Sequence, residues 1–328
     1  MPNSVLALGI ESTAHTFGAS VMSSNGQILS DVREVYKAPE GTGIHPREAS
    51  RHHSDFAPLV IKRAMEEAHT RPEKLDIIAY SAGPGLGPCL RVGAVVARSI
   101  SAYFSKPLVP VHHAIGHIEL GCLLTGAKDP VCLLVSGGHT AILAQKSGRW
   151  RFFGETLDIT IGQLFDQFGR FIGYNSPCGP KIEKLASQGR KYIKMPYTVK
   201  GNDLSFSGIL TYAKNITNSN RIEDVAFSLQ ETSFAMLCEV TERALAFTEK
   251  KELLVTGGVA ANERLSGMLN DVCLRQGACL KVTPQRYAGD SGTQIAWAGL
   301  MSGRSVKPQS AFVRQSWRLD EVDVHWRN

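Results

Sequence analysis

"SVLALGIESTAHTFGASV", residues 4–21, runs as an apolar strand, breaks into small hydroxyl residues and resumes as a second strand. "VCLLVSGGHTAIL", residues 131–143, repeats that plan of strand, small polar turn and strand. A turn of Ser, Thr and Gly between two strands can offer backbone N–H and hydroxyl groups to phosphate. A third segment, "ELLVTGGVAANERLSGML" (252–269), reads as strand, diglycine turn and helix, and a helix start favours anions. Strand–Gly–Gly turns are common in α/β proteins for steric reasons alone, so each segment by itself says little. Three of them, spread over two halves of one chain, predict a two-lobed α/β protein with a nucleotide in its cleft.

The rest of the chain is compatible with that plan. Its 328 residues suffice for one large domain or two lobes, and 43% hydrophobic with 20% charged residues is ordinary for a globular protein. The apolar runs, such as "VCLLV" at 131–135, are too short to span a bilayer, so no membrane partner is expected. A strand pattern begins by Val5, which leaves no room for a secretory leader; the cytoplasm is the expected location. Seven cysteines include no C-x-x-C pair and sit mostly in apolar contexts, so they read as reduced core residues. The net charge of +6 permits a polyanionic partner without demanding one.

Two Gly/Pro-dense loops each feed a helix: "SAGPGLGPCLRVGAVVARSI" (81–100) and "YNSPCGPKIEKLA" (174–186), the latter with Pro180 near its start. No low-complexity linker separates the halves. The expected division is a first lobe over 1–130, with 291–328 returning onto it, and a second lobe over 131–290.

In "VHHAIGHIEL" (111–120), His113 and His117 are four apart, which puts both imidazoles on one helix face. Such a pair is a common way to hold a divalent metal, and equally a pair of histidines hydrogen-bonded in a polar pocket. The zinc-peptidase helix H-E-x-x-H needs a glutamate after its first histidine, where this chain has Ala114. A third ligand has to come from elsewhere. The best candidate is Asp290 in "RYAGDSGTQIAWAGL", whose other reading is a helix N-cap. Two histidines and one carboxylate leave coordination positions open for substrate oxygens.

The motifs "GIESTAHTFGAS", "GIHPREASRHH", "GPGLGPCLRVGA", "HHAIGHIELG", "LLVSGGHT", "GETLDITIG", "MPYTVKGNDLSFSGIL", "TGGVAANERL" and "GDSGTQIA" follow one another in order from about residue 5 to 320. In this the chain resembles the tRNA N6-adenosine threonylcarbamoyltransferase family, once labelled O-sialoglycoprotein endopeptidases. "GIHPREA" and "GPGLGPCLR" look like its archaeal and eukaryotic branch, the catalytic subunit of the KEOPS complex. The resemblance implies an actin/Hsp70-like (ASKHA) α/β fold, with duplicated ribonuclease-H-like lobes around a nucleotide cleft. It implies transfer of threonylcarbamoyl from threonylcarbamoyl-AMP to N6 of adenosine 37 in tRNAs reading codons that start with A.

By position in those motifs, His113, His117 and Asp290 would hold one divalent metal per subunit, iron or zinc. Leu134, Val135, Ser136, Gly137 and Gly138 would touch the substrate, and Asp166, Gly179, Glu183 and Asn262 would complete the ATP or adenylate contacts. Glu11, His15, His139, Gly257 and Gly258 would be further cleft residues. The implied partners are tRNA and the KEOPS subunits: a small dimerising protein and an atypical kinase, which in some relatives is fused C-terminally. One departure stands out. The archaeal and eukaryotic branch usually has tyrosine at Leu134 and asparagine at His139, so "LLVSGGHT" looks like the bacterial and mitochondrial branch. Leucine cannot ligate, which leaves a His₂Asp set.

The chemistry suits these residue types. The donor is an activated mixed anhydride, so no enzymic nucleophile is needed; orientation and a Lewis acid suffice. For RNA, "GRKYIKMPYTVKG" (189–201) gathers basic residues with two tyrosines, and "GIHPREASRHH" (43–53) adds a second basic cluster. The competing readings are a metallopeptidase, which Ala114 argues against, an ATP-driven non-catalytic conformational module, and, more weakly, a small-molecule kinase.

Overall fold

The computed structural model describes residues 4–39 and 42–327. It begins with strands β1 (Leu6–Glu11), β2 (Thr16–Ser23) and β3 (Val32–Val35), then helix α1 (Pro46–Glu67) and strand β4 (Ile77–Gly83). Helix α2 (Gly87–Phe104), strand β5 (Leu108–His112) and helix α3 (His113–Thr125) follow. A second run holds β6 (Val131–Val135), β7 (Thr140–Lys146), β8 (Arg149–Glu155), α4 (Ile161–Phe171) and α5 (Gly179–Ala186). It continues through β9 (Val199–Lys200), β10 (Asp203–Leu204), α6 (Ser207–Ile216), α7 (Ile222–Thr248), β11 (Glu252–Thr256), α8 (Glu263–Gln276), β12 (Cys279–Val282) and α9 (Gln285–Ala288). The last helix is α10 (Gly292–Ser302).

The chain forms two compact units. Unit 1 comprises residues 1–123, 147–150 and 290–328; unit 2 comprises 124–146 and 151–289. Residues 124–130 thus go with the second unit and 147–150 with the first. Asp290, the last residue of the expected second lobe, opens the final segment of unit 1 instead, because α10 is seated on β1 and β2.

In unit 1 the sheet order is β3-β2-β1-β4-β5. β1 pairs antiparallel with β2 and parallel with β4, and β4 pairs parallel with β5. Parallel strands need both faces covered, which explains why β1 and β4 are apolar almost throughout. Leu8, Ile10, Ile78 and Tyr80 point to the core shared with Val60 of α1 and Ala97 of α2. Burying each such side chain is worth about 1.5–3 kcal/mol. Ala79 and Val111 point the other way, onto Ile295 and Ala298 of α10.

Glycine sets how closely α10 approaches. A Cβ at Gly9 would lie 2.1 Å from the Gly292 carbonyl oxygen, and one at Gly292 would lie 2.5 Å from the Gly9 oxygen. Backbone meets backbone here with no side chain between. After α10 the tail returns to the helix carrying the histidines. Val324 N–H donates to Gly148 O at 2.8 Å. The Arg327 guanidinium lies over Trp150 and donates from Nε and Nη2 to both oxygens of Glu119, at 2.6 and 2.8 Å.

Unit 2 repeats the wiring, with β8-β7-β6-β11-β12 as its sheet order. β6 pairs antiparallel with β7 and parallel with β11, and β11 pairs parallel with β12. Its core joins Val131, Leu133 and Val135 to α4, α5, α7 and α8 through residues such as Leu164, Ile182, Leu229 and Leu265. Thr160 and Gln163 close a capping box on α4, and the Asn262 side chain caps α8. All seven cysteines are free, six of them buried and Cys279 exposed. Among the described residues no helix is long and apolar enough to cross a membrane.

Candidate active site

α3 starts directly where β5 ends, so the last strand residue is His112 and the first helical one His113. The helix is buried on every face from His113 to Cys122, with His113, His117 and Glu119 as its polar side chains. Its i, i+4 spacing sets His113 and His117 side by side, ring centroids 4.7 Å apart and planes at 89°. Asp290 reaches them because Gly292 seats the start of α10 on β1. Its Oδ1 lies 3.5 Å from His113 Nε2 and 3.2 Å from His117 Nε2. The N-cap of α10 is Ser291, so Asp290 is free of that duty.

One ligand atom from each residue falls within 4.8 Å of the others. Metal–nitrogen and metal–oxygen bonds of about 2.0–2.2 Å place neighbouring ligand atoms roughly 3–3.5 Å apart. The donor set and its spacing therefore fit a mononuclear divalent ion. Arg33 steadies the Asp290 backbone: it donates from Nη1 to the Asp290 carbonyl at 3.4 Å and from Nε to Asp31 at 3.2 Å.

Behind the pair stands Glu11, fully buried at the end of β1. One of its oxygens is 2.9 Å from His113 Nδ1; the other accepts the Thr13 N–H at 2.6 Å. The Gln294 amide nitrogen and Thr13 Oγ1 also approach Nδ1, at 3.2 and 3.5 Å. Burial pulls the His113 pKa down, but Glu11 and Asp290 outweigh it and raise it to about 9. His117 is lowered, chiefly by burial. For Asp290 burial pushes upward, yet the imidazoles of His113 and His117 hold its carboxyl below the usual range. Half-buried His15, on the turn after β1, also contributes to that lowering.

Unit 2 carries the residues expected to meet a nucleotide. Of the five residues expected to touch the substrate in 134–138, the first two lie in a strand. Leu134 and Val135 are fully buried strand residues of β6, paired with Ala141 and Thr140, so their side chains serve the core. The turn proper is Ser136 to His139. Ser136 Oγ accepts the N–H groups of Gly138 and His139 at 3.2 and 3.0 Å. A Cβ on Gly137 or Gly138 would meet nothing within 4 Å, so this backbone is open to a ligand. Gly257, at φ +96°, abuts the turn; a Cβ there would sit 2.3 Å from Val135 O. The turn after β11 continues through a short 3₁₀ segment from Gly258 to Ala261 before α8 begins.

Asp166, Gly179, Glu183 and Asn262 form a connected series. Asp166 accepts the Cys178 N–H at 2.7 Å, just before Gly179 opens α5. Glu183, on α5, accepts the Glu263 N–H at 2.8 Å, beside Asn262. Asn262 accepts from Leu265 N at 3.0 Å and donates to Gln230 at 3.1 Å. The sequence missed Gln294, Thr13 and Arg33. A polar Gln inside the apolar run "TQIAWAGL" was a usable signal for the first; nothing marked the others.

Two five-stranded sheets of equal wiring, one unit bearing a buried His₂–carboxylate cluster, define a class: an α/β protein of the actin/Hsp70-like (ASKHA) fold with a candidate metal centre. HypF of T. kodakarensis superposes with a TM-score of 0.65 at 14% identity, over 92% of this chain and 47% of that one, a likeness of fold alone. The tRNA N6-adenosine threonylcarbamoyltransferase family (TsaD) matches residues 27–297, and the chain belongs to this family. The relative of that name from Caldivirga maquilingensis is 48% identical over 326 residues, 98% of each chain. A "probable bifunctional tRNA threonylcarbamoyladenosine biosynthesis protein" of Methanosarcina mazei is 48% identical over 97% of this chain, which spans 59% of it. The protein is an acyltransferase.

Proposed function

We propose that the chain transfers threonylcarbamoyl from threonylcarbamoyl-AMP to N6 of adenosine 37 in tRNAs reading codons that start with A, assisted by one iron or zinc ion. The observation that carries this reading is the convergence of His113, His117 and Asp290 within 4.8 Å, in a member of the transferase family. His113, His117 and Asp290 would hold the metal, which when bound would supply a Lewis acid for the donor's oxygens. Ser136 to His139 and Gly257 would offer backbone to the adenylate, and Asp166, Glu183 and Asn262, which hold the starts of α5 and α8, would contact its ribose and base. N6 then attacks the carbamoyl carbon: the C–N bond forms, the C–O bond to phosphate breaks, AMP departs and the amine loses a proton. With the leaving group already activated, binding geometry is the main contribution of the chain's own residues.

The RNA grip falls to the basic tract 189–201, where Lys191, Lys194 and Lys200 are exposed and Tyr192 and Tyr197 half-exposed. Phosphate contact with lysines and base stacking on tyrosines suit an anticodon loop. The chain works in the cytoplasm in a KEOPS-type complex with a small dimerising subunit and an atypical kinase; the bifunctional name of the longer M. mazei relative supports a functional partner domain beside this one. The test is transfer of labelled threonylcarbamoyl from its adenylate to tRNA, with partner subunits present, before and after metal stripping. Loss on stripping and recovery with iron or zinc is expected; undiminished transfer by metal-free protein refutes the metal role.

A further inference from the structure

We infer that Glu11 is the positioning carboxylate of the metal centre: it fixes the tautomer and ring orientation of His113 so that Nε2 faces the ion. The inference rests on the proposed metal reading. A carboxylate can only accept, so its oxygen at 2.9 Å from Nδ1 requires a proton there and leaves Nε2, on the Asp290 side of the ring, as the nitrogen that ligates once a metal displaces any proton from it. The rival neighbour is the Gln294 amide nitrogen at 3.2 Å, which would need the opposite tautomer. A charge-assisted bond is about twice as strong as a neutral one, so Glu11 decides.

The carboxylate is itself immobilised. Its second oxygen holds the Thr13 N–H at 2.6 Å, and the side chain is fully buried. The turn between β1 and β2 therefore acts as the outer support of the His113 ring, and the aim of that ring is set by the first strand of the sheet.

Outer partners of metal-bound histidines typically contribute 10–100-fold in metal affinity. The test compares wild type, Glu11→Gln, which keeps an acceptor oxygen without the charge, and Glu11→Ala, which removes both. Zn(II) dissociation constants come from chelator competition, and the visible spectrum of the Co(II)-loaded proteins reads coordination geometry. A ~10–100-fold weaker Zn(II) affinity in Glu11→Ala is expected. Glu11→Gln should fall between it and wild type, and the Co(II) spectrum of Glu11→Ala should be altered. Should Glu11→Ala fail to fold in chelator, Glu11→Gln decides alone. Wild-type Zn(II) affinity and spectrum in the folded variants overturn the inference while leaving the metal reading intact. Absence of Zn(II) and Co(II) binding by wild type overturns both.

Discussion

The two units contain the same turn put to opposite uses. Between β1 and β2 the connecting residues are Ser12, Thr13, Ala14 and His15; between β6 and β7 they are Ser136, Gly137, Gly138 and His139. The first turn is closed: Ser12 and Thr13 are buried, and its backbone holds Glu11 against His113. The second is open: its two glycines face empty space, while Ser136 Oγ and the Thr160 hydroxyl, which donates to Gly137 O at 2.9 Å, organise it. A duplicated strand–turn–strand has become a ligand-support element in one copy and a candidate substrate cradle in the other. The change is one of side-chain volume, since side chains fill the first turn and glycine vacates the second.

The largest test of that contrast removes the carboxylate facing the His113 ring that the closed turn supports. Asp290→Ala should abolish metal retention and reduce transfer by about 10³-fold, the value of several kcal/mol of Lewis-acid stabilisation. Metal analysis alongside tRNA modification assays checks it, and activity that survives metal loss would break the comparison. Next comes the seat of α10. Gly9→Ala forces a methyl to 2.1 Å from the Gly292 oxygen and should cost about 3 kcal/mol, read from the urea midpoint, with metal affinity falling in parallel.

Acid should loosen the first turn selectively. His53 donates from Nε2 to the Ala14 carbonyl, and its pKa is lowered to about 4, mainly by burial. Below 6.5 the unfolded chain takes up a proton that the folded one refuses, so stability should decline from pH 6.5 to about 4 and then level off. The loss is about 2–3 kcal/mol. Urea midpoints across that range should slope less in His53→Gln; equal slopes would remove His53 from the account. The smallest effect belongs to the open turn. Gly137→Ala should leave stability within about 0.5 kcal/mol, as expected for an exposed site. Metal affinity should not change, while adenylate binding, measured by calorimetry, weakens a few-fold.

The strand–turn–strand echo and the H-x-x-x-H spacing were legible because each is a local pattern with a fixed period. Asp290 was legible as a candidate, though only the glycine contact between β1 and α10 explains why it arrives. That Leu134 and Val135 stay in the ladder, ahead of the open turn, is not visible in the motif "LLVSGG". For Asp166, Glu183 and Asn262 the sequence showed carboxylate and amide identity but not direction: each holds a helix-end N–H. Thr13 beside His113, and Arg33 beside Asp290, depend on approaches across 100 and 257 residues, which no local signal records.

Glu119 and Arg327 meet across 208 residues of chain. During synthesis the histidine-bearing helix leaves the ribosome with an acidic group destined for a buried site, and Arg327, the cation that meets it among the described residues, follows 208 residues later. Stranding one member of a buried pair costs about 3–5 kcal/mol. A chain truncated before residue 327 should therefore hold Zn(II) poorly even though His113, His117 and Asp290 are all present.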